Sequence, residues 1–149
     1  RSLLACLDEA ELLRTATDDE GVEVAIRIAI YKSRLARSED PMWNETSAML
    51  LGPKFGHAIR KCCQSGPSGR AMSTLRAIVE AVDRLKLSDV HALRTSDSGG
   101  SPQRFRKSDN AKAWRRDVDN EYHLHYWETD EGKIELASIG VHNDFGIPE

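Results

Sequence analysis

The sequence is poor in cysteine, and no apolar run in it approaches the roughly 20 residues of a membrane span. Cys6, Cys62 and Cys63 are too few, and at 62–63 too close together, to build a disulfide framework, and they fit a reducing compartment. There is no Cys-x-x-Cys or His-x-x-x-His pair. His123-x-His125 alone is a weak ligand pattern, so neither a metal nor another cofactor is expected. No signal-peptide pattern is visible, and a cytoplasmic protein without a membrane partner is the expectation. A start at Arg1-Ser2 without methionine suggests a fragment of something longer and leaves a removed targeting segment open. Internal repeats and low-complexity tracts are absent as well.

What is present suits a single domain of ordinary size with an extension. The net charge of −3 conceals an uneven distribution. Residues 54–116 hold fourteen Lys or Arg against five Asp or Glu, whereas residues 117–149 hold one lysine against nine acids. Such separation gives either a basic patch for a polyanion or charges that interleave on folding.

Leu3, Leu4, Leu7, Ala10, Leu12 and Leu13 recur at helical spacing and predict an amphipathic helix over 3–15. Val22, Val24, Ile26, Ile28 and Ile30 alternate as in a strand. The Thr17-x-x-Glu20 capping box and the helix-friendly continuation to Arg37 nevertheless favour a helix. Asp40-Pro41 then marks a boundary between a helical extension, 1–41, and a main domain, 42–149. Beyond it the pattern predicts a short strand at 47–51 and helices at 55–63 and 72–87. A polar loop from Ser96 to Pro102, a hairpin at 114–126 and a last strand from Lys133 to about His142 follow. The fold class expected is α+β with a mostly antiparallel sheet.

The hairpin, W-R-R-D-V-D-N-E-Y-H-L-H-Y, is the richest stretch chemically. With Asp119 and Asn120 as a two-residue turn, Arg116 falls opposite His123 and Trp114 opposite His125. All four then share one face, with Leu124 and Tyr126 on the other. Fixed positive charge beside imidazoles suits a phosphodiester, which needs both a cation and proton exchange near neutral pH. A solvated sheet face without chemistry is the plain alternative.

The segment from about residue 46 to 149 resembles the RelE/ParE toxin superfamily, and within it the YoeB-type messenger RNA endonucleases. The order strand, two helices, strands is similar to that family's β-α-α-β-β-β plan. Trp114, Arg116, Val118, Glu121, Leu124 and Tyr126 fall on a pattern resembling W-x-R-x-I-x-x-E-x-R-L-x-Y, and His91-Ala92-Leu93-Arg94 is similar to the family's x-P-L-K approach to the sheet. The resemblance implies an active site on the concave face of the sheet. It makes Arg116 a family arginine and puts His123 where an arginine stabilises phosphate charge. It puts His91 where a glutamate serves as general base, and His142 close to a histidine proposed as general acid. Phe145 stands nearest the family's terminal tyrosine and has no proton to donate.

Cleavage of RNA by its own 2′-hydroxyl needs a base, a cation for the phosphorane-like transition state and an acid for the leaving oxygen. The candidate catalytic residues are His91, Arg116, His123, His125 and His142, whereas His57 has no neighbouring constellation. Arg104, Arg106 and Lys107 are candidates for tracking an RNA backbone, and Trp114 or Trp127 for stacking on a base. The expected partners are RNA, free or on the ribosome, and a neutralising antitoxin or the acidic extension acting in cis. The alternative is a non-enzymatic binder on the same fold, inhibiting a topoisomerase or serving as a protein-interaction module.

Overall fold

The computed structural model describes residues 2–47 and 49–149, so Ala48, within the strand expected at 47–51, lies outside the described residues. The chain is α+β. A 3-10 turn, Leu3–Cys6, leads to helices α1 (Glu9–Thr15) and α2 (Asp19–Ala36), and a second 3-10 turn, Trp43–Ser47, leads to strand β1 (Met49–Leu51). Helices α3 (Phe55–Ser65) and α4 (Arg70–Val82) follow, then strands β2 (Val90–Ala92), β3 (Lys112–Asp117), β4 (Tyr122–Glu128) and β5 (Ile134–Val141). The sheet order is β1-β5-β4-β3-β2, with β1 parallel to β5 and the other neighbours antiparallel. Among the described residues no helix is long and apolar enough to cross a membrane.

Local chemistry explains where the elements begin and end. The helix expected over 3–15 is interrupted because Asp8 caps α1, its carboxylate accepting from the Glu11 amide. Asp18, not Thr17, caps α2 by accepting from the Gly21 amide. The alternating β-branched run is helical because Ala25 and Ala29 complete a stripe of Val22, Ala25, Ile26, Ala29 and Ile30, all buried. Helix α4 ends at Val82, earlier than its apolar stripe suggests, since Arg84 and Lys86 adopt positive φ of 53° and 46°.

All four helices lie on one face of the sheet. Leu13, Val22, Ile26 and Ile30 share a single core with Phe55, Ile59, Leu75 and Ile78 and with the sheet residues Leu124, Tyr126, Ile134 and Leu136. Residues of the N-terminal 41 are therefore structural members of the same layer. Burying each such aliphatic side chain contributes about 1.5–3 kcal/mol. The opposite face carries a smaller cluster of Leu93, Ala111, Ala113, Trp127 and Ala137, against which Ile147 packs.

The β3–β4 hairpin differs from its expected register by one residue. Asp117 pairs with His123, Arg116 with Leu124, Arg115 with His125 and Trp114 with Tyr126. Neither Asp119 nor Asn120 has a positive φ, so the two-residue turn does not form. Instead the Val118 amide donates to the Tyr122 carbonyl, and the Asp119 carboxylate accepts from the amides of Glu121 and Tyr122, closing a wider loop. A one-residue slip reverses which side chains share a face. Trp114 and Arg116 thus join Leu124 and Tyr126 on the helix side, away from His123 and His125.

Arg116 is consumed there. Its side chain is 1% exposed, and its Nη1 donates to Glu80 Oε2 at 2.9 Å from α4, whose own side chain is 6% exposed. Its Nη2 donates to the carbonyls of Leu85 and Lys86. Removing one partner of a buried pair strands the other charge. Glu80→Ala is expected to lower unfolding free energy in urea by about 3–5 kcal/mol. Glu128→Ala, which breaks the more exposed pair with Arg84, is expected to cost less than about 1 kcal/mol. Equal losses for the two variants would contradict the buried role of Arg116.

Candidate functional site

Strand pairing aligns His91, Arg115, His125 and Ser138 in one row across the sheet, and Asp117, His123 and Gly140 in the next. Both rows lie on the face opposite the helices. A bulge helps set this up: His125 pairs with Ser138 while its neighbour Tyr126 pairs with Leu136, so β5 shifts by one residue at Ala137. Leu136 and Ile139 consequently both serve the helix-side core, and Ser138 and Gly140 back the histidines. Gly140 is required for space, because a Cβ there would sit 2.9 Å from Cε1 of His125.

His142 follows the last strand, its amide held by the Glu121 carbonyl, and returns over the first rows of the sheet. Its Nδ1 lies 3.1 Å from His123 Nε2, which is itself 2.9 Å from Asp117 Oδ1. The chain then folds back as a strap. Gly146 offers its carbonyl to His125 Nδ1 at 3.1 Å, Trp127 Nε1 donates to the Pro148 carbonyl at 2.8 Å, and Ile147 fills the small cluster.

Between this strap, β2 and the Ser96–Pro102 loop runs an open groove of about 390 Å³. Its ionisable and polar lining includes His91, Arg94, Asp97, Arg115, His142 and Asn143, with Phe145 as an apolar wall. Arg115 is half-buried and makes no ion pair with an acid among the described residues. Arg94 is exposed and donates to the carbonyl of Ser101 at 2.7 Å, which holds the loop against the groove. The cations thus present charge to whatever enters.

The four sheet-face histidines fall into two classes. His91 and His142 are exposed. His123 and His125 are 2% and 0% exposed, and burial pushes both below the ordinary imidazole range. For His123 the Asp117 carboxylate opposes the shift, while the charges of Arg115, His142 and His91 add to it. His125 is pushed down to about 4 by burial, against Asp144 and the Gly146 carbonyl. His125 is therefore neutral at pH 7 and acts as a structural donor to the strap. In neutral His123, a proton on Nε2 satisfies Asp117 and leaves a bare lone pair at the unpartnered, buried Nδ1. The other tautomer would bury an unpaired N–H and turn a lone pair toward a carboxylate.

The other expected site residues are placed elsewhere. Arg116 and Trp114 face the helices. Arg106 donates to Asp109 and Glu135 and lies over the Trp127 ring, so its charge is already neutralised. Arg104 is half-buried and Lys107 exposed, and neither lines the groove. Trp127 is a core residue. Arg94, Arg115 and Asp117 were not among the expected site residues. Much of the basic segment is interleaved with acids: Arg60 pairs with Asp19, Arg70 with Asp119 and Glu121, and Arg84 with Glu128. Among the described residues no group of three His, Cys, Asp or Glu side chains is arranged to hold a metal ion.

Because His125 stays neutral when folded down to about pH 4 but titrates near 6.5 when unfolded, the unfolded state binds more protons in between. Stability is full above that window and falls as pH drops through it, by up to about 3 kcal/mol from this group. His125→Asn, which keeps a donor near Gly146, is expected to flatten the dependence of urea stability between pH 6.5 and 4. An unchanged slope would contradict the assignment.

No protein-family model matches the chain, and no curated protein or solved structure matches it either.

Proposed function

We propose that this chain is a RelE/ParE-like, toxin-type endoribonuclease that cleaves RNA in the groove by acid–base chemistry without a metal. The observation that carries the reading is the convergence on one groove of two exposed imidazoles, His91 and His142, with the guanidinium of Arg115, against a single lining carboxylate, Asp97. The element order from β1 onward, strand, two helices and then antiparallel strands, also supports it.

In this reading His91 takes the proton of the 2′-hydroxyl. Arg115, in the role first expected of Arg116, stabilises the charge that accumulates on the phosphorus centre, and Arg94 adds positive charge at the mouth. His142 gives a proton from Nε2 to the leaving 5′-oxygen, its ring packed against His123, which Asp117 orients. His123 thus acts through His142 as a positioning residue, and His125 secures the strap that forms one wall. The helices of residues 9–36 lie on the far side of the sheet from the groove. Neutralisation therefore falls to a separate antitoxin rather than to the acidic extension.

Incubation with free RNA and with RNA on programmed ribosomes tests the proposal. Cleavage by the unaltered protein is expected with one or both substrates. Arg115→Ala should reduce it about 10²–10³-fold and His142→Ala about 10²–10⁴-fold, with Lys107→Ala close to unaltered activity. No cleavage of either substrate would overturn the proposal. Growth inhibition that survives the first two substitutions would favour a binding role such as topoisomerase inhibition.

A further inference from the structure

The groove that carries the proposed chemistry also holds a group the chemistry does not use. Asp97 is the one carboxylate in its lining, set among His91, Arg94, Arg115 and His142. It is exposed, and among the described residues its side chain makes neither an ion pair nor a hydrogen bond, although two guanidiniums line the same groove. The loop that bears it is tied by bonds that leave this side chain out. Arg94 pairs with Gln103 at the neck of the loop, and the Thr95 amide donates to the Pro102 carbonyl at 3.0 Å. Within the loop Ser101 is buried, its hydroxyl 2.8 Å from the carbonyl oxygens of both Ser96 and Ser98, and Arg94 Nη1 donates to the Ser101 carbonyl. Asp97 is displayed to the groove on a braced loop.

Resting on the reading of the groove as an RNA site, we infer that Asp97 reads a guanine base beside the cleaved bond, its two carboxylate oxygens accepting from guanine N1–H and the N2 amino group. A carboxylate repels phosphate, so the part of a polynucleotide it can face favourably is one that donates protons. Ribose offers little of that kind. Within a chain every 3′-oxygen is esterified, and the 2′-hydroxyl at the cleaved bond is engaged by His91. The bases differ in what they present on the pairing edge. Guanine sets two donors side by side, whereas adenine and cytosine set one amino group beside an acceptor, and uracil sets one N–H between two carbonyls. An ionised carboxylate has acceptors only, so guanine alone meets both oxygens, and with each other base one oxygen faces a lone pair. Single-stranded RNA is recognised through such exposed edges and by stacking on aromatic rings. Phe145 supplies a flat wall in the same groove, and Asn143, whose side chain makes no hydrogen bond among the described residues, has an amide group to spare for guanine O6.

Titration of the ¹⁵N-labelled full chain with the four nucleoside 3′-monophosphates tests the inference without requiring cleavage. All four carry the same ribose and phosphate, so a difference among them reports the base. Guanosine 3′-monophosphate should bind about tenfold or more tightly than the other three and move the backbone amides of Asp97 and Asn143 saturably. Inosine 3′-monophosphate, which lacks only the N2 amino group, should lose most of that advantage. Asp97→Asn should bring guanosine to within about twofold of adenosine, because an amide cannot accept at both positions. Equal binding of the four nucleotides, binding of none, or shifts that miss Asp97 would overturn the inference. So would a guanine preference that survives Asp97→Asn. Guanine preference in a protein that cleaves no RNA would leave the base site standing and remove the nuclease reading, whereas RNA cleavage with equal binding of the four nucleotides would do the reverse. The titration of the unaltered protein decides the matter even if the variant fails to fold.

Discussion

The pairing register of β3 with β4 is the constraint from which the rest of the structure follows. Arg115 and Arg116 are neighbours in a strand, so one must face the helices and the other the open side. The register sends Arg116 into the core, where Glu80 of α4 and two backbone carbonyls receive it, and leaves Arg115 beside the imidazoles. The same register turns Leu124 and Tyr126 inward and His123 and His125 outward. A slip of one residue would bury two histidines among aliphatic side chains and expose the apolar pair. Packing and charge therefore favour the same pairing.

Burial then divides chemically similar groups into different roles. Four histidines share one face of the sheet, but only His91 and His142 meet solvent. His125 is covered by the strap and His123 is wedged between Asp117 and His142. The cations divide in the same way: Arg106 and Arg116 are neutralised by buried or half-buried carboxylates, while Arg115 and Arg94 are left to the groove. Composition predicts a supply of imidazole and guanidinium, and tertiary structure selects which of them can act.

The α+β class and the three long strands were legible from pattern, and Leu75, Ile78 and Val79 announce the buried face of α4 directly, whereas α2 was legible only from its capping signal and helix-friendly continuation, because Val22 to Ile30 alternate as in a strand. Local side-chain chemistry was harder to read. Asp119 looked like half of a tight turn and is instead an acceptor for two amides. Because strand parity depends on turn length, that one difference moved Arg116 and Trp114 off the site and brought Arg115 and Asp117 onto it. The bulge at Ala137, which lets β5 serve both faces, leaves no trace in hydrophobic alternation. Long-range ion pairs such as Arg70 with Asp119, forty-nine positions apart, are also invisible in a charge count. The basic middle and acidic end of the chain, read together, do anticipate that such pairs would form.

The central claim is that exposed imidazoles around Arg115 split a ribose-phosphate backbone by way of its own 2′-hydroxyl. The most direct measurement treats a short oligoribonucleotide and its copy with 2′-deoxyribose at each position with the protein in a chelator, and identifies the product ends. The account predicts fragments of the RNA ending in 2′,3′-cyclic phosphate and an intact deoxy copy. Equal cleavage of both strands, or cleavage that ceases when divalent cations are chelated, would contradict it.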